Sequence, residues 1–224
     1  MLGGGALKLL KKKDSGAVMY EMITLILAFA MIAFLVTMLY QRQMKSIKLR
    51  CDNDLITALL AANKIDVYSL ATDDLILMDT GIVNGNKTYD NVVAGSITQD
   101  FREASFKAYD VAYDCFVEAL KTNMSLDDEL KPIRNTQIIS VKIIDFRLYN
   151  VCNNNVHEVR KNGSNGSNYS IEAHTNGINS YKTPSNDVVG ASGLYVKVEV
   201  TINNAIKKGT SKFNLSSYVD SKQN

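Results

Sequence analysis

From Met22 to Tyr40 the chain is almost uninterruptedly apolar, and a single carboxylate, Glu21, stands at the entrance to the run. A stretch of about 19 mostly apolar residues is long enough to cross the hydrocarbon of a bilayer as a helix. A carboxylate beside such a stretch is costly unless something offsets its charge, so Glu21 reads as a functional group awaiting a partner. Upstream lies a cationic leader, Lys11-Lys12-Lys13-Asp14-Ser15-Gly16. Ala28-Phe29-Ala30 has the small-x-small form of a secretory cleavage site, yet the apolar run continues for roughly ten residues beyond it. The hydrophobic stretch is therefore expected to stay with the protein.

Glu21 lies five residues past Gly16, so a cut after Gly16 makes Ala17 the first residue of the mature chain and Glu21 the fifth. Lys11 to Tyr40 resembles the prepilin signal of type IV pilins and pseudopilins. The resemblance implies a membrane peptidase that removes the leader after Gly16 and leaves the apolar segment as a stem. It also implies that Glu21 pairs with the freed ammonium of a neighbouring subunit during assembly, a pair that attracts strongly in low dielectric where each charge alone is expensive. Ala17 replaces the Phe or Met common at the first mature position in that family, which is compatible with its Tad-type, TadE-like branch. The alternative is a permanent signal anchor, with Lys8 and Lys11 to Lys13 held in the cytoplasm and Glu21 at headgroup level.

A chain of 224 residues, less leader and stem, leaves room for one modest domain. The organisation expected is a leader over 1–16, a transmembrane helix and stem over 17–50, and an extracytoplasmic α+β domain over 51–224. Net charge is +2, and apart from the leader only Arg42, Lys45, Lys48 and Arg50 cluster, so no nucleic-acid footprint is present. Because positive charge flanks both ends of the run, the N-in orientation rests on the leader and on the long polar C-terminal portion. Three cysteines, Cys51, Cys115 and Cys152, permit one disulfide and a leftover thiol, or none. Cys51 is near the membrane end of the stem, so any pair that forms is expected between Cys115 and Cys152.

Nothing between Ala17 and Arg50 breaks a helix, which predicts a rod of roughly 50 Å. Asp52-Asn53-Asp54 reads as an interruption or as an N-cap for the next segment. There Leu55, Ile56, Leu59, Leu60, Asn63 and Val67 recur at helical spacing. That stripe serves either subunit packing or the core of the domain. Leu75 to Met78 is a short apolar stretch, followed by turn signals at Thr80-Gly81 and Asn84-Gly85-Asn86. A second helix opens at Gln99 or Asp100, carries Phe101, Ala104, Ala108, Val111, Ala112, Cys115, Phe116, Ala119 and Leu120 on one face, and closes at Lys121-Thr122-Asn123. Ser125 and Asp128 have capping-box spacing for a short turn before Pro132.

After Pro132 the period becomes strand-like. Ile138 to Tyr149 alternates over much of its length, Leu194 to Ile202 alternates throughout, and Tyr169 to Ala173 and Phe213 to Val219 are shorter candidates. The stretch Asn153 to Asn168, rich in Asn, Gly and Ser, reads as a mobile loop. The fold expected is α+β: a long N-terminal transmembrane helix continuing into a stem, a second packed helix, and a small antiparallel sheet of three or four strands. Within the longest alternating strand, Leu194, Val196, Val198, Val200 and Ile202 are assigned to the core.

Catalytic chemistry finds no frame here. His157 and His174 stand in no recognisable catalytic setting, their spacing with Cys152 matches no common zinc pattern, and both read as surface residues. No phosphate-binding loop, nucleophile elbow or His-Glu-x-x-His is present. The acidic clusters Asp73-Asp74 and Asp127-Asp128-Glu129 lack calcium-loop spacing and read as solvated helix ends. The expectation is a non-enzymatic structural subunit without catalytic residues, metal or cofactor. Gly16 and Ala17 mark processing and Glu21 marks assembly; the partners implied are the membrane, a prepilin-type peptidase and other pilin-like subunits. The competing reading is a permanently anchored extracytoplasmic binding module.

Overall fold

The computed structural model describes residues 4–64, 76, 97, 99–134, 137–152, 154–162, 168–204 and 209–222. The chain divides into two compact units, Met1–Leu49 and Arg50–Asn224. Helix α1 covers Gly4–Ala62 and so supplies all the described residues of the first unit and the opening residues of the second. Asp52-Asn53-Asp54 neither interrupts nor caps it. The Thr57 hydroxyl donates to the Asn53 carbonyl at 2.9 Å within the helix, and Arg50 reaches Asp54 one turn on.

In the second unit, Cys51, Leu55, Ala58, Leu59 and Ala62 are fully buried, at spacings of three and four residues that put them on one face. Asn63 is buried too, Ile56 and Leu60 are half-buried, and Val67 lies outside the described residues. The stripe therefore belongs to the core of this unit. Helix α2 spans Gln99–Met124 and buries Phe101, Ala104, Ala108, Ala112, Phe116 and Leu120. Its end is tied to α1 by Asn123, whose Nδ2 donates to the Asp54 carbonyl at 3.3 Å.

Five antiparallel strands complete the unit: β1 Ile138–Cys152, β2 Asn155–Asn162, β3 Asn168–His174, β4 Gly193–Asn204 and β5 Gly209–Asp220, in the spatial order β3-β2-β1-β4-β5. The central pair sets the core. Val141 and Ile143 lie opposite Val200 and Val198, whereas Phe146 and Leu148 lie opposite Val196 and Leu194. An irregularity between Ile143 and Asp145 switches β1 from odd to even parity, and it keeps Val141, Ile143, Phe146 and Leu148 on one face of the sheet. The rings of Tyr109 and Phe116 lie 5.3 Å and 5.5 Å from that of Phe146, and Tyr109 donates to the Phe146 carbonyl at 3.2 Å.

Residues 175–192 form a flap over the other face of the sheet. Tyr149, Val151, Val156, Val189 and Tyr195 make a buried cluster there, with Ile178, Tyr181 and Tyr218 packed against it. Asn176, Asn179 and Asn186 take positive φ in the flap, a conformation that asparagine tolerates better than most residues. The flap is held to β5 and its end: Tyr218 donates to the Ala191 carbonyl at 2.8 Å and Lys222 to that of Gly190 at 3.2 Å.

Several sequence expectations need correction. Asn155–Asn162 is a strand rather than the body of a loop, which brings the sheet to five strands. Both faces of β2 are covered, so His157 and Glu158 are buried alongside Val156 and Val159, and no polar alternation marks the strand. Cys152 pairs directly with Asn155, and the connection carries Asn154 at φ 64°. None of the three cysteines forms a disulfide, so Cys115 and Cys152 are not joined. The turn after α2 is closed by Asp127, whose Oδ1 accepts from the amides of Glu129 and Lys131, instead of by a Ser125–Asp128 capping box; Asp128 pairs with Lys121 at 2.9 Å. The apolar stretch and turn signals between Leu75 and Asn86 fall outside the described residues apart from Ile76, which is fully buried. So do Asp73 and Asp74.

Val198 is fully buried on the α2 side of β4, and Ser216 is exposed on the opposite face of β5, across from Lys197. Val198→Asp should cost more than about 4 kcal/mol by burying an unpaired charge, and so abolish the cooperative thermal transition of the second unit. Ser216→Asp should leave that transition within a few degrees of wild type. Calorimetry of the full-length protein in detergent checks both.

Candidate functional site

The first unit is a bare apolar helix. Its most apolar window has a mean hydropathy of 2.7 and no buried residues, and the helix is long and apolar enough to cross a membrane once. A signal sequence meets the same criterion, and the helix by itself fixes no orientation. Phe29, Met31, Phe34 and Leu39 are each about two-thirds exposed. The hydroxyls within it are satisfied locally: Thr24 donates to the carbonyls of Tyr20 and Glu21, and Thr37 to that of Ala33 at 2.8 Å. Such back-bonding lets threonine sit in an apolar helix without an orphan polar group.

Glu21 has no such recourse. Its carboxylate is exposed and makes no ion pair or side-chain hydrogen bond among the described residues. Gly16 and Ala17 also lie within α1, less than two turns before Glu21, but their side chains fall outside the described residues. The three residues singled out in the sequence thus share one helix end.

Two residues that the sequence reading passed over bracket this segment. Tyr20 and Tyr40 are separated by 20 residues, a rise of about 30 Å in a helix, which matches the hydrocarbon thickness of a bilayer. Tyrosines at both ends of a span are the usual interfacial anchors. The signal was available in the sequence as the placement of two aromatic rings with polar tips at the boundaries of the run.

The second unit places its charges differently. Glu158 is 1% exposed on the flap side of β2, and it accepts from Arg147 at 2.9 Å and from the Tyr181 hydroxyl at 2.6 Å. Arg147 also binds Asp145 at 2.7 Å and lies 5.9 Å from the Tyr195 ring centroid. Arg160 completes the row with Glu172. Burial, then the bond to Glu158, raises the Tyr181 hydroxyl above its ordinary range, so it donates throughout the physiological pH range. This cluster pins the flap to the sheet and is internally satisfied, as a structural ion pair has to be.

The sheet separates the two histidines. His157 is 1% exposed on the α2 side, with the Phe101 ring edge-on at 5.2 Å, whereas His174 stacks on Tyr181 at 3.8 Å on the flap side. His157 is thus a core residue and not a surface one. Cys152, His157 and His174 cannot converge on one ion, and no cluster of three metal-ligating side chains occurs among the described residues. No family model, curated protein or solved structure matches the chain.

Two outcomes follow from this charge placement. Glu158→Ala leaves Arg147 and Tyr181 without their partner, and should destabilise the second unit by about 3 kcal/mol. That lies at the low end for a buried pair because the Arg147 side chain keeps 18% exposure; denaturant titration measures it. Burial, reinforced by the charge of His174 and opposed in part by the Asn150 backbone, holds the His157 imidazole below its ordinary value. The unfolded chain then binds the proton first. Stability should decline as pH falls through about 6.5 toward the folded value, and be unaffected by this group above about 7.5. His157→Gln should flatten that part of the profile in thermal melts across pH 5–8; an unchanged slope would assign it to another group.

Proposed function

We propose that the chain is a membrane-anchored, pilin-like structural subunit, of the minor pilin, pseudopilin or TadE-like kind, that enters a bacterial surface pilus or secretion-type assembly through its N-terminal helix. In this reading a prepilin-type peptidase cuts after Gly16, the segment Met22 to Tyr40 spans the membrane with the leader inside, and the α+β unit faces outward as a non-enzymatic head.

One observation carries it: the exposed carboxylate of Glu21, without a partner among the described residues, at the entrance to a helical run of exposed apolar side chains. A free ammonium at Ala17 of a neighbouring subunit is the complementary charge, and each charge would be expensive in the membrane without the other. The order of elements supports the same reading. A long N-terminal helix precedes an antiparallel sheet, and the helix part beyond Arg50 is built into the head core.

Intact mass of the protein extracted from membranes should correspond to a start at Ala17, and Gly16→Val should restore the full-length mass. A wild-type chain that keeps its leader would instead favour the permanent anchor carrying a binding module. Glu21→Gln should leave membrane insertion and the folded head unchanged, because an amide barely alters size or helix propensity, while reducing recovery of the protein in crosslinked or co-purified assemblies by about tenfold or more, the loss of one ion pair worth over 1.4 kcal/mol. Equal recovery of the two forms overturns the assembly role.

A further inference from the structure

We propose that Ser105, Asn150 and His157 enclose an internal water site in the seam between α2 and the β1–β2 hairpin. Asn150 and His157 are directly opposed across the two strands on the face that α2 covers. Phe101 packs edge-on against His157, and Ser105 follows it by one helical turn on the same side of α2. All three polar side chains are at most 1% exposed.

Among the described residues, four of their atoms have no protein partner: Ser105 Oγ, Asn150 Nδ2, Asn150 Oδ1 and His157 Nδ1. Each such atom, left orphaned, costs about 1–3 kcal/mol. Four of them would consume much of the ~5–15 kcal/mol that separates a folded domain from its unfolded chain. The set is chemically mixed. The amide nitrogen donates, the amide oxygen accepts, the hydroxyl does either, and the imidazole nitrogen accepts in one tautomer and donates in the other. Water, with two protons and two lone pairs, complements this set, and buried waters characteristically take about three such bonds. The set is a poor one for a metal ion, because the Asn150 amide nitrogen only donates and no group of three His, Cys, Asp or Glu side chains occurs among the described residues. An organic ligand would require a way in, and the residues are sealed from solvent.

The site gives the first turns of α2 a polar attachment to the sheet, just before the Tyr109–Phe146 ring contact. Replacing one member is then expected to be worse than replacing all. Asn150→Leu expels the water and strands Ser105 Oγ and His157 Nδ1, so the Tm of the full-length protein in detergent should fall by at least about 3 °C. The triple variant Ser105→Ala, Asn150→Leu, His157→Leu should regain most of that loss. Water-selective nuclear Overhauser spectra of the wild type should show slowly exchanging water in contact with the Asn150 side-chain amide. A rise in Tm for Asn150→Leu means that leucine has relieved orphaned atoms in a dry seam, and overturns the proposal. So does a spectrum without a water contact at Asn150, a readout that stands even if the leucine variants fail to fold.

Discussion

The one-residue irregularity between Ile143 and Asp145 decides how the second unit is layered. A strict two-residue period carried through from Val141 would turn Asp145 and Arg147 toward α2 and expose Phe146 and Leu148. With the switch, Val141, Phe146 and Leu148 all bury themselves on the helix side, and the acid and the guanidinium emerge on the flap side. There Glu158 from the neighbouring strand and Tyr181 from the flap complete their bonds. The core and the buried ion pair are thus two outcomes of one local feature.

That dependence explains what was legible in the sequence. β4 announced itself because Leu194 to Ile202 alternates and one of its faces is the core; both helices announced themselves by their spacing, as did the apolar run and its entrance carboxylate. β2 did not. Its residues Asn155 to Val159 are all buried, so the alternation that marks a half-exposed strand is missing, and Glu158 and His157 mimic solvent-facing positions. Tertiary partners supplied by β1, the flap and Phe101 are what allow those polar groups inside, and such partners leave no local trace. The charge of Glu21 is legible for the converse reason: it is exposed at the entrance to an apolar run, which is a local feature of the sequence. The flap was hidden as well, because its asparagines at positive φ read simply as turn residues.

Two carboxylates in this protein face the same physical problem and meet it differently. Glu158 is withdrawn from water but receives an arginine and a phenol within 3 Å, so its charge is settled when the chain folds. Glu21 has no partner among the described residues, on a surface suited to lipid. Charge satisfied within the chain makes a rigid head, and charge left over makes an affinity for something outside it. The proposed subunit role amounts to that division between the two units.

The two tyrosines at the ends of the apolar run have a consequence for where that leftover charge can act. In a bilayer, rings at Tyr20 and Tyr40 seek the two opposite headgroup layers, and their separation already equals the hydrocarbon thickness, leaving the helix little freedom to slide up or down. Glu21 follows Tyr20 directly, so its vertical position is set by the ring beside it. In the proposed assembly that position lies just inside the headgroup layer, where the dielectric changes most steeply over a few ångströms. A cation arriving at that same level gains the full attraction, and one held a turn higher or lower does not, so the tyrosine pair acts as a depth gauge that selects partners by height as well as by charge.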